Sequence, residues 1–281
     1  MRAAMTALLI DPFFLTAVAA SLLASIASGT IGTYVIVKRI AFIAGSISHS
    51  VLGGMGLCLW LKRTLDWHWL SPLFGAFAAA IGAALLIGYI HLRYREREDA
   101  IIASVWSTGM AIGVIFLAMT PGTNVELVNY LFGNILWIRS EDLWLLAGLD
   151  LFLISAIALY YRRFLMLCFD EEQALLQGVP VRRLYLLLLS LVAISIVLLI
   201  QIIGTILLIA LLAIPAMTAA LFTRRLFTMM LGASLFSILY SLSGLFASYF
   251  LDWPPGATIA LVAALGYLGL LPYRRSLLPN R

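Results

Sequence analysis

The sequence predicts an all-α polytopic membrane protein with about nine transmembrane helices, eight being the alternative count. Hydrophobic residues make up 63% of the chain and charged residues 11%, and the mean hydropathy is +1.06. This composition leaves too little polar surface for a water-soluble domain. The apolar segments nearly exhaust the 281 residues, so we expect one transmembrane domain over residues 1–281.

Each predicted span is an apolar run of about 20 residues, which at about 1.5 Å per residue crosses a bilayer once. The sixth and seventh runs are separated by two residues, and the seventh contains Pro215, which should kink it. In chain order the runs are 13–37, 41–61, 70–91, 100–120, 142–161, 184–201, 204–222, 226–250 and 256–272.

Two connections are longer than the others. The first, residues 121–142, has an apolar part too short to span, which predicts a half-helix or re-entrant segment. The second, residues 162–183, contains a short predicted helix: acidic residues favour its first turn, and Gly178 ends it. This helix is either a connector along the membrane surface or a docking helix for a cytoplasmic partner. The candidate residues for coupling this helix to such a partner are Phe169, Asp170, Glu171, Glu172 and Gly178.

The basic residues are distributed asymmetrically under the nine-span count. Fourteen of the 18 Lys and Arg residues fall on one side, including Arg182, Arg183, Arg224 and Arg225. Because basic residues concentrate in cytoplasmic loops, this pattern places the N-terminus outside and the C-terminus in the cytoplasm. The same distribution assigns the basic residues to the membrane surface, so we expect membrane lipid among the partners and no nucleic acid.

His49 is the leading candidate functional residue, because an ionisable side chain within a predicted span usually faces a polar cavity or a pathway. At helical spacing, Gly45, His49, Gly53 and Gly56 share one face. We expect this face to meet a closely packed neighbour or a cavity instead of lipid. The candidate pathway-lining residues are Gly45, Ser46, Ser48 and Gly53.

Other polar residues within the spans are weaker candidates. Asp150 is a second ionisable group at depth, and it either contributes to transport or bonds to a neighbouring helix. Ser21, Ser25, Ser28 and Gly32 form a stripe typical of a helix-packing seam. Three residues, Met55, Cys58 and Met217, are soft enough to bind transition metals but are more typical of packing.

No phosphate-binding loop is present, because neither of the two lysines, Lys38 and Lys62, belongs to a GxxxxGK[ST] motif. The chain is therefore predicted not to be an enzyme. ATP-driven transport would need a separate ATPase subunit.

Taken together, five segments resemble the zinc, manganese and iron permease family of ABC importers. They cover residues 32–56, 130–143, 169–179, 203–221 and 244–257. The resemblance implies a homodimeric permease in a bacterial inner membrane, two ATPase subunits that bind ATP, and an extracytoplasmic metal-binding protein. It implies a transported divalent metal ion, no covalently bound cofactor, and a coupling helix at residues 169–179.

The chain departs from that family at one position. Many members carry an Asp four residues before the histidine that matches His49, and here that residue is Gly45. A second ligand would then come from a dimer mate, another span or water, with Asp150 a weak candidate. The alternatives are a permease for a chelate such as a siderophore or cobalamin, an ion-coupled secondary transporter using Asp150, or a scaffold without transport.

Overall fold

The computed structural model describes residues 12–67, 69–94, 98–121, 138 and 140–272. These residues form nine helices: α1 (Pro12–Val37), α2 (Ala41–Thr64), α3 (Pro72–Tyr94), α4 (Glu98–Met119), α5 (Ser140–Phe169), α6 (Glu171–Leu176), α7 (Val181–Phe222), α8 (Leu226–Leu251) and α9 (Pro255–Leu270). Seven of them are long and apolar enough to cross a membrane, and α9 is a shorter apolar helix. The predicted all-helical membrane fold is confirmed.

Helix α7 contains both the sixth and the seventh predicted spans, which meet at a kink. It runs through 42 residues, and its single non-helical residue is Gly204, with φ 77° and ψ 167°. Glycine reaches positive φ without the steric cost of a Cβ, so it can bend the chain there without a loop. The nine predicted spans therefore correspond to seven long helices and the shorter α9, and Pro215 lies within the second segment of α7.

The described part of the chain divides into two compact units. Unit 1 takes its described residues from Met1–Ile36, Val128–Ala156 and Leu198–Arg281. Unit 2 takes its described residues from Val37–Leu127 and Ile157–Val197. The predicted half-helix lies almost entirely outside the described residues.

In unit 2, helix α2 packs against α3 on one side and α4 on the other. Glycines allow α2 to approach both of these helices closely. A Cβ added at Gly54 would lie 2.0 Å from the carbonyl oxygen of Gly75 in α3, and one added at Gly53 would lie 2.8 Å from that of Gly109 in α4. Such approach of backbones is typical of small-residue interfaces in membranes.

In unit 1, helix α1 packs against α8 through the predicted serine stripe. The hydroxyl oxygens of Ser25 and Ser241 are 3.3 Å apart, and those of Ser28 and Ser237 are 3.2 Å apart. A Cβ added at Gly32 would lie 2.1 Å from the carbonyl oxygen of Leu212 in α7. The prediction of a packing seam is confirmed.

Candidate functional site

His49 lies on the face of α2 that packs against α4. Its imidazole is half-buried and stacks on the indole of Trp106, with ring centroids 4.5 Å apart and an interplanar angle of 15°. One turn earlier, a Cβ added at Gly45 would lie 3.4 Å from the same indole. The face predicted from Gly45, His49, Gly53 and Gly56 thus meets a closely packed neighbour helix.

The stack determines what the imidazole can do chemically. A neutral imidazole binds a metal through a ring nitrogen, whose lone pair points outward in the plane of the ring. Stacking occupies one face of that ring and restricts its rotation, but it leaves the in-plane directions open. Trp106 therefore orients His49 without occupying the direction of a metal bond.

The predicted pathway serines are buried and bonded to backbone. The Ser46 hydroxyl donates to the carbonyl oxygen of Ile102 in α4 at 3.1 Å, and the Ser48 hydroxyl donates to that of Ala44 at 2.9 Å. Ser46 therefore ties α2 to α4, while Ser48 bonds within its own helix. In this conformation both serines support the packing around His49.

A cavity of about 810 Å³ lies between α2, α3 and α4. Of the predicted pathway residues it includes Gly53, but not Gly45, Ser46, Ser48 or His49. Its lining is mostly aliphatic, with Ser50, Ser104 and Thr108 as its hydroxyl-bearing members. This cavity is more suited to apolar chains than to a hydrated ion.

Ligands for a metal at His49 are sparse. Within the described ranges, no group of three or more His, Cys, Asp and Glu side chains is close enough to hold a metal ion. Cys58 is buried, and a Cβ added at Gly75 would lie 2.7 Å from its sulfur. The burial of Cys58 is therefore explained by the packing of α2 against α3.

Asp150 lies in α5 and belongs to unit 1, whereas His49 belongs to unit 2. Its side chain is buried, and neither carboxylate oxygen has a hydrogen-bond partner among the residues that the structure describes. A buried carboxylate without hydrogen bonds is costly, and this keeps Asp150 a candidate for function. Its role stays a prediction.

The predicted short helix is present as α6, and its two ends have defined caps. At the N-terminus, the Asp170 carboxylate accepts a hydrogen bond from the backbone N–H of Gln173 at 2.8 Å. At the C-terminus, Gly178 has φ 73°, its N–H bonds to the carbonyl of Leu175, and the N–H of Val179 bonds to that of Ala174. This is the Schellman arrangement, so the sequence fixes both ends of a six-residue helix.

One side of α6 is buried, and exposed apolar side chains lie on its other side and at the preceding end of α5. Ala174 is fully buried. Phe169, Leu175 and Leu176 are 63%, 61% and 88% exposed. Exposed apolar residues grouped on a surface are typical of a protein or membrane contact, and the acidic Glu171 and Glu172 stand beside them.

Comparison with known proteins identifies the family. The model of the ABC 3 transport family matches residues 10–273. The chain belongs to this family. The resemblance inferred from the sequence is confirmed, and this ABC 3 protein is a multi-pass membrane transport subunit.

Relatives and a solved structure match along nearly the whole ABC 3 chain. A Chlamydia pneumoniae protein named "Probable metal transport system membrane protein" is 45% identical over 97% of this chain and 92% of its own. The "Manganese transport system membrane protein MntC" of Halalkalibacterium halodurans is 33% identical over 88% and 82%. The structure of PsaBC from Streptococcus pneumoniae in complex with Fab is similar with a TM-score of 0.82, at 30% identity over 95% and 94%.

Two residues of the site were missed by the sequence analysis. Trp106 stands in an apolar helix, away from both of its ends, whereas tryptophans in membranes concentrate at the interfaces. Lys38 is one of only two lysines in the chain and bonds to α5 and α6. The sequence therefore marks both residues as unusual, Trp106 by its position and Lys38 by its rarity, but it does not indicate which residues they contact.

Proposed function

We propose that this chain is the single-domain permease of an ABC importer for a divalent transition metal, namely zinc, manganese or iron, and that His49 binds the metal in transit. The half-buried imidazole stacked on Trp106 is the observation that carries the proposal. Imidazole is a ligand for several of these metals. The relatives named for manganese transport make Mn²⁺ the first ion to test.

A metal site with one imidazole is incomplete. Such a site suits an ion in transit better than an ion that is held permanently. The remaining metal ligands would be water, backbone carbonyls or another side chain, with Asp150 the weakest candidate. Conduction requires binding strong enough to admit the ion and weak enough to release it. A lone oriented imidazole meets both conditions.

The proposed partners are a second copy of the chain, two cytoplasmic ABC ATPase subunits that bind ATP, and an extracytoplasmic metal-binding protein. Helix α6 supports the ATPase contact, because Phe169, Leu175 and Leu176 form an exposed apolar surface. Asp170 and Gly178 would act by holding the ends of this helix, Glu171 would hold its start through the ion pair with Lys38, and Glu172 would add charge to its docking surface. The solved PsaBC structure supports an assembly of more than one kind of chain.

We also propose that α7 crosses the bacterial inner membrane twice. As a straight helix its 42 residues would extend about 63 Å, roughly twice the hydrocarbon thickness. A single crossing would leave about half of this very apolar helix in water. Two crossings that meet at Gly204 put Arg182, Arg183, Arg224 and Arg225 in the cytoplasm, with the N-terminus outside and the C-terminus inside.

The double crossing can be tested by cysteine labelling in a background lacking Cys58 and Cys168. Gln201→Cys near the break should react with a membrane-impermeant maleimide added to intact cells. Thr223→Cys should react only after the cells are opened. Labelling of Thr223→Cys in intact cells would contradict the proposed orientation.

The cargo is tested by uptake in cells that lack other metal importers. Cells expressing the importer should accumulate radioactive ⁵⁴Mn²⁺, ⁶⁵Zn²⁺ or ⁵⁵Fe²⁺, and competition among the unlabelled ions identifies the preferred one. Uptake should fall at least about tenfold in His49→Gln, because the proposed metal ligand is lost. The matched control is His91→Gln, which removes the imidazole near the end of α3. Equal loss in both variants, or in neither, would count against His49.

A further inference from the structure

Lys38 connects three parts of unit 2. Its Nζ donates a hydrogen bond to the carbonyl oxygen of Leu167 in α5 at 3.0 Å and forms an ion pair with the Glu171 carboxylate in α6. The same ammonium lies 5.8 Å from the ring centroid of Tyr185 in α7. The Lys38 side chain is only 13% exposed, whereas that of Glu171 is 50% exposed.

The position of the ammonium follows from helix electrostatics. Leu167 lies in the last turn of α5, where carbonyl groups lack partners within the helix and carry partial negative charge. Glu171 is the first residue of α6. One cation therefore satisfies the end of one helix and pairs with the start of the next, which fixes the corner from which α6 leaves α5.

Lys38 also lies close to the helix that carries His49. The connection between α1 and α2 consists of Lys38, Arg39 and Ile40, with Arg39 held at φ 60°. The carbonyl oxygen of Ile40 accepts hydrogen bonds from the backbone N–H groups of Ile43 and Ala44. Only Lys38, Arg39 and Ile40 therefore separate the contacts of Lys38 from the first turn of α2.

We propose that Lys38 is a positioning residue that couples α6 to α2, so that movement of α6 shifts the helix carrying His49. The inference rests on the proposed function, in which α6 is the contact with the ATPase. Lys38 contacts neither ATP nor metal in this account. It links the site of ATP-driven movement to the site of metal binding through one partly buried ion pair.

The test uses the complete importer in liposomes, with its ATPase subunits and binding protein, and measures metal transported per ATP hydrolysed. Lys38→Ala should lower this ratio about fivefold to tenfold, the lower end of the range for coupling between sites, while ATP hydrolysis continues. Glu171→Ala should lower it less, because the bond to Leu167 remains. Lys62→Ala is the matched control: it removes the other lysine, in the last turn of α2, and should leave the ratio unchanged.

The charge exchange Lys38→Glu with Glu171→Lys separates coupling from a general packing defect. The double variant should recover part of the ratio lost by Lys38→Glu alone, and only part, because a glutamate cannot donate to the Leu167 carbonyl. Absence of any recovery would overturn the proposal. An unchanged ratio in Lys38→Ala, including an equal fall in transport and hydrolysis, would also overturn it.

If Lys38→Ala does not reach the membrane, Glu171→Ala decides the matter, because its half-exposed side chain can be removed without opening the core. An unchanged ratio in that variant would refute the role of the pair. Failure of the proposed function gives a different result: the wild-type importer would then transport none of Mn²⁺, Zn²⁺ and Fe²⁺.

Discussion

Each of the two units contains a seam of small residues at which two helices pack closely, and the two seams differ in one respect. In unit 1, α1 meets α8 through Ser25 and Ser28, whose hydroxyls face Ser241 and Ser237. In unit 2, α2 meets α4 through Gly53 and Gly56, which approach the backbone of Gly109 and Gly113. Both seams bring helix backbones close together, but the described part of the α2–α4 seam also carries an imidazole that is only half-buried.

Under the proposed function, the α2–α4 seam combines close packing of helices with a metal-binding side chain. In the serine seam, the hydroxyls of Ser25 and Ser28 pair with those of Ser241 and Ser237, and the buried Ser21 hydroxyl has no hydrogen-bond partner among the residues that the structure describes. In the α2–α4 seam, the Ser46 hydroxyl bonds to the α4 backbone, and the glycines let α2 approach close enough for His49 to stack on Trp106. In both seams the small-residue stripe marks close helix packing, and His49 on the second stripe is the basis of the proposed metal pathway.

The largest expected effect is on folding, and it should be the same in both seams. Gly29→Ala would place a Cβ 2.4 Å from the Ser234 backbone nitrogen, and Gly109→Ala would place one 2.6 Å from the Cα of Ser50. Each should lower stability by at least about 1–3 kcal/mol, because backbone must move. The measurement is the thermal unfolding midpoint in detergent.

Gly82→Ala and Gly148→Ala are the matched controls, since no atom of another helix in the described part of the chain lies within 4 Å of the added Cβ. They should be neutral or raise stability by up to about 1 kcal/mol through helix propensity. If Gly29→Ala were as stable as Gly82→Ala, the two helices could not be in backbone contact.

The second effect should appear only in the α2–α4 seam. Trp106→Leu removes the ring that orients His49 and should reduce metal uptake about tenfold, the lower end of the range for residues that support a metal ligand. Trp60→Leu is the control, because Trp60 pairs with Phe116 between the same two helices at 5.6 Å and does not contact His49. Equal uptake by the two variants would mean that the stack has no functional role.

The smallest effect should appear only in the α1–α8 seam. The double variant Ser25→Ala, Ser28→Ala loses two contacts between hydroxyls, each worth about 0.6 kcal/mol between helices in a membrane. We expect a lower unfolding midpoint and an unchanged uptake rate per folded molecule. A reduced rate at normal stability would assign this seam a part in transport and remove the distinction between the two.

Much of the fold could be predicted from the sequence because hydrophobic length alone determines where a chain crosses a membrane. The helix at residues 171–176 was also predictable, since Asp170 and Gly178 are strong end signals. The continuity of α7 was not, because a glycine bend at Gly204 and a short loop have the same composition. His49 was found because it is an ionisable residue in an apolar span, whereas Trp106 and Lys38 contact residues distant in sequence that no local pattern specifies.

Uptake by His49→Gln, measured beside the Ser25→Ala, Ser28→Ala double variant in liposomes containing the complete importer, tests the central claim most directly. With rates normalised to folded protein, His49→Gln should lose at least about 90% of metal uptake at an unchanged unfolding midpoint. The serine variant should keep its uptake and lose stability. Normal uptake by folded His49→Gln would contradict the account.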